Sequence, residues 1–259
     1  MGGVVHRRAG SSHPGRTSPW HTAGVGLVSG TEPVEVAPAA EVAPALDGWH
    51  GEAAQPFWRG WLHTLAFLLA IPGGVLLLRA ATGPVAIVAV AVYAAGLALC
   101  FGTSAGYHRL TRVGRARRVM QRADHAMIYV LIACTYTPVC LIALPLAWGI
   151  PLLSAVWAGT LVGAALKIWA LGRYRLLEYV LYPALGWCVL TIAPVLVDHL
   201  QASELLLMLA GGVLYTVGVP VLALRRPDPW PQRFGYHEVW HSFTVAAALC
   251  HFGAVTLML

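Results

Sequence analysis

The chain has 259 residues, of which 58% are hydrophobic and only 11% charged, with a formal net charge of +6. A soluble domain carries about 25% charged residues, so this composition excludes an ordinary soluble fold and describes a polytopic membrane protein. The positive charge is carried by arginines in short gaps between apolar runs, a pattern that marks membrane orientation and argues against a nucleic-acid partner.

Residues 1–55 mix Gly, Pro, Ala, Ser and scattered charges without sustained periodicity. Such a segment buries too little apolar surface to offset chain entropy, and it is expected to be a disordered cytoplasmic tail. No apolar stretch follows Arg7 and Arg8 closely enough to form a secretory signal, so the first membrane helix is expected to target the protein. Residues 56–259 are the membrane domain. They hold seven apolar runs, near 60–80, 84–106, 124–145, 150–171, 177–198, 204–224 and 237–258. Each is close to the roughly 20 residues that cross a hydrocarbon core of about 30 Å, so the expected fold is an all-α seven-helix bundle. Pro145 and Pro151 are expected to bracket one turn, whereas Pro183, Pro194 and Pro220 fall within runs, where a membrane helix tolerates a kink. Cys100, Cys134, Cys140, Cys188 and Cys250 all lie inside apolar runs without CxxC spacing, so neither a disulfide framework nor a thiolate metal site is indicated.

Orientation follows from alternate gaps. Arg109, Arg112, Arg115, Arg117, Arg118 and Arg122 follow the second run, Arg173 and Arg175 the fourth, and Arg225, Arg226 and Arg233 the sixth. The other gaps hold almost none apart from Arg79. The positive-inside rule therefore places the arginine-bearing end and the N-terminus in the cytoplasm and the C-terminus outside.

That topology gathers polar residues at one depth. His237 and His241 open the seventh run at i and i+4, which on a helix puts their Cβ atoms about 5–6 Å apart on one face, a spacing that suits a shared metal ion. Ser104 and His108 close the second run, and Asp124 opens the third, all at the arginine-bearing end. Ionisable residues are costly at membrane depth, so three histidines and a carboxylate at one level point to a zinc site with a position left open for water. Each residue also has a plainer reading. Asp124 would serve as a helix N-cap, His108 as an interfacial histidine, and Ser104 as a hydroxyl bonded back to its own helix.

Other polar residues fit the site less well. His125 points about 100° away from Asp124. His251 lies far up the same helix as His237 and is expected to serve packing or hydrogen bonding. Lys167 is placed to snorkel, and Glu178 and Glu204 start helices, where a carboxylate complements the macrodipole. His237-Glu238-Val239-Trp240-His241 also satisfies H-E-x-x-H, the zinc-protease pattern in which the glutamate activates water, so an intramembrane metalloprotease is a competing reading.

Four motifs in order, Arg59-Gly60-Trp61-Leu62-His63, Ser104 through His108, Asp124-His125-Ala126-Met127-Ile128-Tyr129 with Thr135-Tyr136-Thr137-Pro138, and Phe234-Gly235-Tyr236-His237-Glu238-Val239-Trp240-His241, resemble the hemolysin III family. This is the bacterial branch of the progestin and adipoQ receptor superfamily. The resemblance covers nearly everything from Arg59 to the C-terminus. It implies a seven-helix bundle with the N-terminus inside, an integral, multi-pass protein of the bacterial plasma membrane. It also implies zinc held by His108, His237 and His241, with Asp124 on the zinc-bound water and Ser104 beside it, and Glu238 outside the assigned chemistry. The wider relationship to alkaline ceramidases suggests metal-dependent hydrolysis of a lipid amide or ester, in which Asp124 would act as general base and Ser104 or the zinc would stabilise the oxyanion, and for the bacterial branch a role in membrane lipid homeostasis. A non-enzymatic receptor or regulator with structural zinc uses the same residues. A haemolytic pore-former, the literal meaning of the family name, should carry an export signal and late-inserting amphipathic segments, which are not seen here.

Reporter fusions after Arg118, Arg175 and Arg226 are expected to read cytoplasmic, and fusions after Ala147, Gln201 and Leu259 external. Opposite readings at Arg118 and Arg226 would separate His108 from His237 and remove the shared site.

Overall fold

A computed structural model describes residues 56–170, 173 and 175–259, with backbone alone over 175–179. The tail expected over 1–55 and the Glu178 side chain lie outside the described residues. Among the described residues regular structure is helical, apart from one isolated bridge between Trp230 and Phe234. The helices are α1 (Trp61–Ala80), α2 (Pro84–Arg109), α3 (Gly114–Pro138), α4 (Leu146–Ala170), α5 (Arg175–Gly186), α6 (Ala193–His199), α7 (Ala202–Leu224) and α8 (Tyr236–Leu257). Seven spans among them are long and apolar enough to cross a membrane, with Val180–His199 forming one span from α5 and α6 together. The protein is thus a seven-span bundle, as composition implies. α1 packs on α2 and α8, α2 on α3, α3 on α4, α4 on α5, α5 and α6 on α7, and α7 on α8, so the neighbours follow chain order and close into a ring.

Three departures from the expected elements have physical causes. α3 begins at Gly114, ten residues before the third apolar run, because its first turns carry exposed Arg115, Arg118 and Arg122 and extend beyond the apolar layer, where hydropathy gives no signal. Asp124 is therefore interior to a helix, which removes the N-cap reading. α4 begins at Leu146, directly after Pro145, so Pro151 lies inside the helix and does not bracket the turn. Close packing accompanies this start: the α-carbon of Gly149 sits against the Cys140 carbonyl, with no room for a side chain.

The third departure is the fifth span, which is broken and not merely kinked. Between α5 and α6 the backbone tightens into a 3₁₀ turn over Cys188–Ile192, and Pro194, which lacks an N–H, restarts the helix. A break at membrane depth strands backbone polar groups that have no water to satisfy them. Tyr136 of α3 supplies the partner: its hydroxyl donates toward the Leu185 and Gly186 carbonyls at 3.0 and 2.8 Å and accepts the Val189 N–H at 3.0 Å. α3 is itself irregular just beyond this point, passing through Pro138 into a π-helical turn over Val139–Ala143.

Tyr136→Phe keeps the ring and deletes the bridge. It is expected to destabilise the protein by about 1–3 kcal/mol, the cost of unsatisfied buried polar groups, read as a lower unfolding midpoint in detergent. An unchanged midpoint would show that the break is held by packing alone.

Candidate metal centre

The beginning of α8 is fixed from two sides. Glu238, fully buried, accepts the Gly235 N–H through Oε2 at 2.9 Å, satisfying a donor that the helix N-terminus leaves open, and pairs through Oε1 with Arg59 Nε. Asp228 Oδ1 accepts the next N–H, that of Tyr236, at 2.8 Å. On the other side, the segment leading into α1 is pinned to the α7–α8 loop, with Phe57 N–H donating to the Gln232 carbonyl and Trp58 N–H to that of Arg233. Gly60 then turns the chain into α1 with φ of 77°, a left-handed conformation that favours glycine, and a Cβ placed there would meet the His108 Cβ at 2.7 Å. The starts of α1 and α8 and the end of α2 are thereby drawn together.

The result is a buried histidine cluster. His108, His237 and His241 each offer one ligating atom, and the three atoms lie within 4.8 Å of one another. His237 Nε2 is 3.2 Å from His108 Nε2. Two nitrogens bound at about 2.0–2.1 Å to a tetrahedral ion stand about 3.3–3.4 Å apart, so this separation fits a shared cation. Nδ1 of His237 and of His241 is buried without a hydrogen-bond partner among the described residues. Facing imidazole nitrogens in a buried cluster are a donor set suited to a divalent metal.

Asp124 borders the cluster, its Oδ2 3.9 Å from His108 Nε2 and 3.9 Å from His125 Nδ1. It is not among the three mutually close ligands. His125 turns away as its helical position implies, with Nδ1 2.7 Å from the Gln121 carbonyl. Ser104 is buried beneath the cluster, and its Oγ lies 2.7 Å from Nδ1 of His63. His63, which the sequence shows only as part of a motif, joins the cluster from the first turn of α1, and its depth at the arginine-bearing end is the signal that marks it. His251 bonds the Met208 carbonyl at 3.3 Å, and Glu204 Oε2 accepts the Gln201 N–H at 2.8 Å at the start of α7, as expected of each. Lys167 differs from expectation. It does not snorkel but is buried, with its Nζ 5.3 Å from the centre of the Tyr182 ring.

Residues 52–252 match the family model for haemolysin-III related proteins. The chain belongs to this family. It is 31% identical over 196 residues to the hemolysin-3 homolog of Bacillus subtilis (strain 168), covering 74% of this chain and 89% of that protein. It is 30% identical over 198 residues to hemolysin-3 of Bacillus cereus, covering 74% and 86% respectively. The family match spans every element that forms the cluster, from Arg59 to His241.

Metal analysis of this haemolysin-III related protein, purified in detergent, is expected to find about one divalent ion per chain, lost when His237 and His241 are both replaced by Ala. Full retention in that double variant would show that the ion is held elsewhere.

Proposed function

We propose that the protein binds zinc through His108, His237 and His241 and acts in membrane lipid homeostasis, by hydrolysing a lipid amide or ester. The observation that carries this reading is the buried three-histidine cluster with a partly exposed carboxylate at its border. Three imidazoles suit zinc and leave a position for reactants. Zinc, when bound there, supplies a Lewis acid for a lipid carbonyl.

The chain's own residues supply the rest. A cavity of about 370 Å³ lies among α3, α4, α5, α6, α7 and α8, lined chiefly by Ile, Leu, Val and aromatic side chains. The lining includes His125 and Trp240, the sequence neighbours of Asp124 and His241, and none of the three cluster histidines. Lys167 and Tyr182 line it near the arginine-bearing end, where a polar headgroup would sit while acyl chains occupy the apolar remainder. In this reading Asp124, whose Oδ2 lies 3.9 Å from His108 Nε2, accepts a proton from an attacking water. Glu238, by contrast, is held by Arg59 and Gly235, which argues against the protease pattern.

With a fluorescent N-acyl sphingoid lipid and an ester phospholipid offered in mixed micelles, Asp124→Ala is expected to lose the 10²–10⁴-fold typical of a general base. Glu238→Gln is expected to keep most turnover per zinc-loaded molecule and instead to lower stability by about 3–5 kcal/mol, because Arg59 loses its charge partner. A strong turnover defect in Glu238→Gln beside a mild one in Asp124→Ala would favour the protease assignment. No turnover of either lipid by zinc-loaded protein would leave the receptor or regulator reading.

A further inference from the structure

His63 belongs to neither the metal-ligating trio nor the proposed proton transfer, yet it is buried against the trio and fully bonded. Its ring lies on that of His241 with centroids 3.7 Å apart and planes 15° from parallel. The other rings at His241, those of His108 and His237, meet it edge-on at 65° and 66°. A metal-ligating histidine is ordinarily oriented by a hydrogen bond from its second nitrogen. His241 Nδ1 has no hydrogen-bond partner among the described residues, and the stacked His63 ring covers the face of the His241 ring.

What holds His63 can be worked out from proton counting. The Thr244 hydroxyl lies 2.9 Å from the His241 carbonyl and 3.0 Å from His63 Nε2, and since a carbonyl only accepts, one hydroxyl proton satisfies both contacts only when it points to the carbonyl. In that arrangement the contact with His63 runs from the ring Nε2–H to Thr244 Oγ1. A neutral imidazole with its proton on Nε2 leaves Nδ1 as an acceptor, and Ser104 Oγ at 2.7 Å then donates to it. The chain Ser104 to His63 to Thr244 to the His241 carbonyl therefore has one direction throughout. All four residues are buried, and the chain joins α1, α2 and α8.

We propose that His63 is a positioning residue of the metal site, which orients His241 through its ring face and through Thr244, and that Ser104 anchors His63 instead of donating a hydrogen bond to a developing oxyanion. The inference rests on the metal reading above. It reassigns Ser104, because a hydroxyl proton held by His63 is not offered to a reacting lipid.

The test uses full-length protein in detergent, with Zn²⁺ as the probe and a chromophoric chelator as competitor, and thermal unfolding of the zinc-stripped forms alongside. Thr244→Val keeps the shape of threonine and deletes the hydroxyl, whereas Thr244→Ser keeps the hydroxyl and deletes the methyl. Thr244→Val and Ser104→Ala are each expected to weaken zinc binding 10–100-fold, the usual effect of losing a group that orients a metal ligand, with Thr244→Ser close to wild type. Wild-type affinity in both Thr244→Val and Ser104→Ala overturns the inference, even if the zinc-stripped forms unfold earlier. Equal losses in Thr244→Val and Thr244→Ser also overturn it, because the effect would then follow packing and not the hydroxyl. Wild-type zinc affinity in Ser104→Ala with lowered lipid turnover would return Ser104 to the oxyanion. A wild-type protein that binds no zinc removes the metal reading itself, and this inference with it.

Discussion

The buried ion pair between Arg59 and Glu238 is the interaction on which the arginine-bearing end of the bundle depends. A guanidinium and a carboxylate at this depth carry a large desolvation cost, and they persist because each is also needed structurally. Glu238 satisfies the start of α8 through the Gly235 N–H, and Arg59 stands one residue before the left-handed turn at Gly60 that launches α1. Separating the pair would leave two uncompensated charges and would free the start of α8, where His237 and His241 reside. The register between the first and last spans, and hence the distance from His241 to His63 and His108, follows from that contact.

The same principle governs the rest of the buried polar groups, since lipid offers no alternative partner. At the histidine cluster, hydroxyls from Ser104 and Thr244 and the imidazole of His63 satisfy one another across three helices. At the fifth span, one tyrosine hydroxyl serves three backbone groups where Pro194 prevents a continuous helix. The two devices do different things. The first rigidifies a site, whereas the second makes a broken span tolerable, and α5 and α6 on either side of that break form part of the cavity wall.

Much of this was legible in the sequence, for identifiable reasons. Seven spans followed from run length alone, and the depth argument found His108, His237 and His241 because arginine gaps placed three helix ends on one level. The extension of α3 was missed because its first turns are arginine-rich and only amphipathic, so Asp124 was read as opening a helix that it lies well inside. Lys167 was read as snorkelling because sequence does not show that the Tyr182 ring, from another span, would cover its ammonium. Thr244 carried no signal, since a hydroxyl three residues after a histidine is common and acquires meaning only when another helix presents a ring to it. The cavity was invisible for the same reason: Pro183 and Pro194 promised a kink, and only the packed bundle shows space beside it.

The pentapeptide from His237 to His241 shows how little a short motif decides about its middle residues. Reading it as a protease signature asks Glu238 to reach a water on the flank of the ion and to pass a proton onward. Glu238 is 0% exposed, and its two oxygens are used by Arg59 and by the Gly235 N–H. Releasing either oxygen would uncap α8 or strand a buried guanidinium, and a sealed carboxylate has no route for the proton it would take. A general base must also be regenerated after each cycle, which requires contact with solvent or with a group that has it. The Asp124 side chain is 16% exposed and stands 3.9 Å from His108 Nε2. Of the two carboxylates near the histidines, the one outside the motif is therefore the one whose surroundings allow it to exchange protons, and the one inside it is the element that holds the histidines in place.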